Sequence, residues 1–220
     1  MSKYDSLFEK GYYIGDLSEF SVNMDEFIEK CNQIYLFAND KEKYFDYFNI
    51  IDDKMPHRIP YNQREERLNY IKENLQGSIP YNSANNLNRG VETNDYFNYF
   101  RELVKNFIQN VYPELTPDKI NVNDVIQMYQ EGDYQHAHSD GHVGDCVVII
   151  YLSDPSKYNN TGKLEFLEGP YPENVIDSVD PVLGKFTIFE LTKHNIRHRV
   201  QMVTDDFLRF SFLGQVRRLH

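Results

Sequence analysis

The hydrophobic positions of this chain repeat with two different periods, and the change falls near Pro117. In the N-terminal half, Phe27, Ile28, Cys31, Ile34, Tyr35 and Ala38 recur at helical spacing behind Asn23 and Glu26, a pair three positions apart that signals a helix start. Tyr96, Phe97, Phe100, Leu103, Val104, Phe107, Ile108 and Val111 form a second, clearer stripe that ends before Pro113. An aromatic stripe of this kind predicts a helix laid on a core rather than a ligand box. Residues 9–20 read as a short strand followed by a turn. Between residues 39 and 93 the periodicity weakens. Helices are predicted around 43–48 and 63–75, Pro56 and Pro60 break the pattern, and the polar run 81–90 reads as a long connection able to serve as a lid.

Beyond Pro117, segments 122–129, 146–152, 163–167, 185–191, 195–203 and 207–213 are β-type runs separated by Gly, Pro, Asn and Asp clusters. Helices followed by about eight short strands predict a mainly β chain with flanking helices (α+β): an antiparallel sandwich or jelly roll backed by the N-terminal helices. No internal repeat or second core is visible. Residues 1–220 therefore read as one domain, with 1–120 as mostly helical support and 121–220 as the β core.

Composition narrows the partners. With 220 residues, 40% of them hydrophobic and 15% aromatic, the chain can bury a substantial interior without a metal or disulfide to hold it. A formal net charge of -11 argues against nucleic acid or an anionic membrane as the main partner, because both repel it at long range. Cys31 lies in a helical pattern and Cys146 in a strand pattern, and both read as free, buried thiols in a reducing compartment. No segment reads as a signal peptide, and none approaches the roughly 18 apolar residues of a membrane span, so a soluble, cytoplasmic protein is expected.

Chemistry enters in residues 129–140. On an extended backbone, residues two apart share a face, so His138 and Asp140 present an imidazole and a carboxylate side by side. A second His completes the set of two His and one carboxylate that suits non-haem Fe(II) and leaves coordination positions open. His194, His198 and His220 are the candidates near the C-terminus, and His198 is preferred because it lies within a strand pattern. His136 shares a face with His138 and is the main rival within the His-rich tract 136–142, where His142 reads as a bystander and Glu131, Asp133 and Asp145 as turn and solvent residues.

Residues 204–206 read as the turn of a hairpin. With an even loop, His198 falls on the same face as Arg209 and Ser211 of the next strand. A guanidinium there is a bidentate partner for a carboxylate, so a small dicarboxylate that chelates the metal at one end and meets Arg209 at the other fits the arrangement. That is the logic of 2-oxoglutarate binding.

Taken in order, these residues resemble the Fe(II)/2-oxoglutarate-dependent dioxygenases, and within them the prolyl 4-hydroxylase-like branch. The resemblance runs from about residue 124 to 215. It rests on Tyr129-x-x-Gly132-Asp133, His138-Ser139-Asp140, Gly162-Lys163-Leu164-Glu165-Phe166, Pro181-Val182-Leu183-Gly184, His198-Arg199-Val200 and Arg209-Phe210-Ser211. It implies a double-stranded β-helix, one Fe(II), and turnover in which O2 and 2-oxoglutarate become succinate and CO2 while a substrate C–H becomes C–OH, with ascorbate as a candidate reductant. Carried over by position, His138, Asp140 and His198 are the iron ligands, and Arg209 grips the distal carboxylate with help from Ser211 and the Tyr129 hydroxyl. The branch often has Lys in place of Arg209, and its paired Gly is here Thr161-Gly162.

The branch suggests peptidyl proline as substrate. A free amino acid or other small metabolite under the same chemistry is one alternative. A non-catalytic, cupin-like metal-binding jelly roll is another, and Arg209 speaks against it because mere metal binding needs no carboxylate clamp.

Overall fold

The computed structural model describes residues 3–39, 48–52, 83–87, 93–141, 144–169, 174–204 and 206–219. Helix α1 (Asp5–Lys10) leads into strand β1 (Tyr12–Asp16), and α2 (Met24–Asn39) follows. Asn23 starts α2 as its sequence predicts, its side-chain oxygen accepting from the Glu26 N–H at 3.4 Å. Phe27, Cys31, Ile34 and Ala38 are buried along one face, whereas Ile28 is 40% exposed and lies off it. Helix α3 (Asn94–Val111) buries Phe97, Phe100, Val104, Phe107, Ile108 and Val111. Each buried Phe contributes about 1.5–3 kcal/mol, so this stripe alone fixes α3 against the sheet.

The strands that follow are β2 (Phe48–Asp52), β3 (Ser83–Leu87), β4 (Ile120–Tyr129), β5 (Gln135–His138), β6 (Cys146–Tyr151), β7 (Leu164–Glu168), β8 (Asn174–Val179), β9 (Lys185–Glu190), β10 (Arg197–Val200) and β11 (Arg209–Arg218). They form two antiparallel sheets, a large one in the order β1-β9-β6-β11-β4-β3-β2 and a small one in the order β5-β10-β7-β8. The fold is thus mainly β, a two-sheet jelly roll with helices on the outer face of the large sheet.

Strand β6 shows why its sequence is continuously apolar: Cys146, Val148 and Ile150 join the cluster under the helices, and Val147, Ile149 and Tyr151 join the cluster between the sheets. Along β11 the same alternation sends Phe210, Phe212 and Val216 to the helices and leaves Arg209, Ser211 and Leu213 facing the interior. Both cysteines are free and buried. Among the described residues no helix is long and apolar enough to cross a membrane.

Three expectations change. β10 and β11 are not a hairpin: β10 pairs with β5 and β7, and β11 pairs with β4 and β6. The backbone after β10 spends its hydrogen bonds elsewhere, Val203 N–H donating to the Asp133 carbonyl and Val203 carbonyl accepting from Gly132 N–H, while Thr204 N–H donates to Thr161 Oγ1. The connection therefore crosses from one sheet to the other, and His198 meets Arg209 and Ser211 from the opposite wall of the same interior rather than from the same face. Secondly, Ser83–Leu87, inside the polar run taken as a connection, is a strand: Asn85 and Asn86 pair with Met128 and Gln127. Thirdly, Asp133 belongs to a turn but is fully buried, its carboxylate accepting from the Gln130 N–H at 2.9 Å. Phe48, the last residue of the helix expected at 43–48, opens β2; the rest of that helix and the one expected at 63–75 lie outside the described residues.

Candidate active site

β5 ends at His138, and the chain then brings Asp140 back to it, while β10 places His198 opposite His138. His138 Nε2 is 3.4 Å from one Asp140 oxygen and His198 Nε2 is 3.5 Å from the other. One ligand atom from each of the three lies within 4.8 Å of the others. His138 Nδ1 is 2.8 Å from the His136 carbonyl oxygen and His198 Nδ1 is 3.4 Å from that of Ile196. A carbonyl only accepts, so each Nδ1 donates, which leaves Nε2 as the nitrogen aimed at Asp140.

His198 is 3% exposed, its ring stacked on Phe189 at 4.8 Å and 18°. Burial pushes its pKa down to about 4, the nearby His138 ring acting in the same direction and Asp140 against it. It is therefore held as the neutral imidazole that binds metals. Two imidazoles and a carboxylate converging from one side fit Fe(II) with positions left open.

Across the interior, Arg209 is paired with Tyr129 in the register of β11 and β4 and is 1% exposed. Its Nε donates to the Gly162 carbonyl at 2.8 Å and its Nη1 to Ser211 Oγ at 3.3 Å, with the Tyr129 and Tyr151 rings 4.8 and 5.6 Å from the guanidinium carbon. Among the described residues no carboxylate forms an ion pair with it. Burial lowers its pKa and the two tyrosines act against that, yet a guanidinium stays charged. An unpaired buried charge costs several kcal/mol, so this group is poised for an anion.

Burial also pushes the Tyr129 phenol up to about 12, which keeps it a neutral donor, 3.5 Å from Gln127 Oε1. Gly162 adopts φ +65°, and a Cβ there would lie 2.9 Å from Val203 and 3.2 Å from Arg209 Cδ. Only glycine lets that carbonyl reach the guanidinium.

A cavity of about 160 Å³ joins the two halves, lined by all six residues expected from the sequence, His138, Asp140, His198, Arg209, Ser211 and Tyr129. Gln127, Gln135 and Gln215 line it too, with Val125, Ile149 and Leu213 as an apolar belt. The sequence reading missed these glutamines, although the alternation of β4 and β11 places Gln127 on the face of Tyr129 and Gln215 on the face of Arg209. It also missed Tyr151, which no motif marks, and the stacking of Phe189, in the run 186–189 that follows Gly184, on His198. His136 stays outside the triad and serves it through its carbonyl; His194 lies in a loop, its Nε2 3.1 Å from the Phe8 carbonyl. His142 and His220 lie outside the described residues.

Residues 125–217 match the 2OG-Fe(II) oxygenase superfamily. No curated protein matched the sequence. Among solved structures, a Pseudomonas putida prolyl-4-hydroxylase aligns over 97% of this chain and 96% of its own, at 12% identity and a TM-score of 0.62. An oxidoreductase of the 2OG-Fe(II) oxygenase family from Burkholderia pseudomallei aligns over 97% and 88%, at 12% identity and a TM-score of 0.50. At such identities these likenesses establish the fold. The family match falls on the strands that carry the His-Asp-His cluster and the buried arginine, so over residues 125–217 the chain matches a 2-oxoglutarate-dependent oxygenase, a family that implies Fe(II), 2-oxoglutarate and O2.

Proposed function

We propose that His138, Asp140 and His198 hold the Fe(II), that Arg209 with Ser211 and Tyr129 holds the distal carboxylate of 2-oxoglutarate, and that the enzyme hydroxylates an unactivated C–H of a peptidyl proline. The observation that carries this reading is the buried Arg209, which pairs with no carboxylate among the described residues, in one small cavity with the triad. A metal-binding barrel without turnover has no use for a buried cation there, and the cation is tolerable only if an anion arrives to pair with it. Bound in this site, Fe(II) supplies the oxygen activation by which 2-oxoglutarate and O2 become succinate and CO2 and the substrate carbon gains a hydroxyl.

The protein's own part is orientation and shielding. The carbonyls of His136 and Ile196 fix which nitrogens can ligate, and Phe189 pins the His198 ring. Gly162 and Ser211 fix two edges of the guanidinium fork, so its remaining N–H groups are aimed before the carboxylate enters. The neutral Tyr129 phenol adds a donor, and Val125, Ile149 and Leu213 keep water from the space between. A cavity of about 160 Å³ is small beside the roughly 300–1,000 Å³ of ordinary ligand pockets, so the cosubstrate fills it and the substrate is met at its mouth. The likeness in fold to a prolyl-4-hydroxylase supports proline as the residue presented.

The test is succinate release by the Fe(II)-loaded protein with 2-oxoglutarate, with and without proline-containing peptides and with free proline. Peptide-stimulated release is expected. Release that no peptide alters speaks against proline, and absence of any 2-oxoglutarate consumption speaks against the site assignment.

A further inference from the structure

We infer that Asn123 and Gln215, side by side at the cavity mouth, read a peptide unit of the substrate and so select neutral, amide-bearing substrates over free acids. The inference rests on the functional reading above. Strand registers place the pair: Phe189 is opposite Val147, Val147 opposite Gln215, and Gln215 opposite Asn123, in one row across the large sheet. His198 stacks on Phe189, so this row runs at the level of the triad, and with strands about 4.8 Å apart Gln215 stands about 10 Å from Phe189. One row deeper, Leu213 pairs with Val125 and gives an apolar seat beside the amides.

Asn123 Nδ2 donates to Gln215 Oε1 at 3.1 Å. That bond leaves the Gln215 amide N–H groups as donors and Asn123 Oδ1 as an acceptor. Exchanging oxygen and nitrogen on both side chains still leaves one donor group and one acceptor, so the pair offers one of each whichever way the amides face. A peptide unit presents the complement, one carbonyl and one N–H. A free amino acid or metabolite acid brings a carboxylate, and among the described residues lining the cavity the one Lys or Arg is Arg209, committed to the cosubstrate in the proposed reading. The net charge of -11 repels such anions further.

The probes are N-acetyl amino-acid N-methylamides of the genetically encoded residues, proline among them, against the same amino acids uncapped. Binding is measured by equilibrium dialysis to protein loaded with Mn(II) and 2-oxoglutarate under nitrogen, and turnover by succinate release from the Fe(II) enzyme. At least one capped residue should bind and stimulate release, and the free amino acids should do neither. Gln215→Leu, and separately Asn123→Leu at an exposed position, should weaken capped-residue binding and raise its KM by about tenfold. Substrate-free 2-oxoglutarate consumption should be unchanged in Asn123→Leu, whose side chain is not part of the cavity lining. Equal binding of free and capped forms, no response to any capped residue, or unchanged affinity in both variants overturns the inference while leaving the oxygenase assignment intact. A protein that takes up no metal and consumes no 2-oxoglutarate overturns the assignment itself, and this inference with it.

Discussion

The two walls of the cavity are built to different standards. The triad sits on β5 and β10, strands of four residues each, joined through an irregular register with β5 at the edge of the small sheet. Arg209 sits on β11, paired with β4 over all ten of its residues and flanked by β6 on the other side. Side-chain exposure follows this division at His138 and Asp140, 10% and 18% against 1% for the whole of Arg209, while His198 on the inner strand β10 is as buried as the arginine, at 4%. A metal brings coordination energy that can draw short, partly exposed elements into place, and its site must stay open to O2 and substrate. A carboxylate clamp has only charge and hydrogen bonds to work with, and both gain strength in a dry, rigid frame. On the proposed roles, the metal corner is open at His138 and Asp140, and the anchoring corner is sealed.

The largest effects should come from breaking the accessible corner. Asp140→Ala and His198→Ala should each lose stoichiometric Fe(II) and lower 2-oxoglutarate turnover by at least about 100-fold, since even outer-shell changes cost metal sites roughly 10–100-fold. Because β5 and its turn add little to the core, the melting temperature of metal-free Asp140→Ala should barely move, whereas His198→Ala, which empties a buried site against Phe189, should melt lower. Full iron content in either variant would remove that residue from the triad.

Breaking the sealed corner should separate metal from cosubstrate. Arg209→Met should keep its iron but need roughly 100-fold more 2-oxoglutarate, the value of a strong charge-assisted pair. The metal-free variant should melt no lower than the parent, since an unpaired buried charge has been exchanged for an apolar side chain of similar length. Parallel loss of iron and cosubstrate binding would mean that the two walls are one unit. Gly162→Ala should act on the same wall more gently. The left-handed φ and the contact with Val203 should cost about 1–3 kcal/mol of stability by chemical denaturation, and displacement of Arg209 should raise the KM for 2-oxoglutarate with metal content unchanged.

How far the sequence foretold these walls depended on how local each signal was. The period change at Pro117, the stripe of α3 and the His138–Asp140 spacing are properties of neighbouring residues, and they were legible. Which sheet a strand joins is not local. A short segment between two β-type runs looked like a hairpin turn, because nothing in it reveals that Val203 binds the Gly132–Asp133 turn rather than β11. Ser83–Leu87 is built from Ser, Ala and Asn, residues that favour turns over strands, and its pairing with β4 overrides that preference. β8 was missed because three of its first four residues, Asn174, Val175 and Ile176, are exposed, so no inward alternation marks it. Phe189 is one aromatic among many until the fold lays His198 against it.

The smallest prediction concerns how much of the anchor is hydrogen bonding and how much is packing. Tyr129 gives Arg209 a ring face at 4.8 Å and gives the cavity a hydroxyl whose one acceptor among the described residues, Gln127 Oε1, is a distant 3.5 Å away. Tyr129→Phe keeps the ring and removes the hydroxyl. A neutral hydrogen bond is worth about 1 kcal/mol net, so the KM for 2-oxoglutarate should rise about fivefold. Iron content should be unchanged, and so should stability, because the hydroxyl makes no strong bond within the protein. An unaltered KM would assign Tyr129 to packing alone and leave Arg209 and Ser211 as the whole clamp. A rise approaching that of Arg209→Met would instead make the phenol an equal partner, and the sealed wall would then depend on a donor that alternation along β4 alone does not distinguish from a core aromatic.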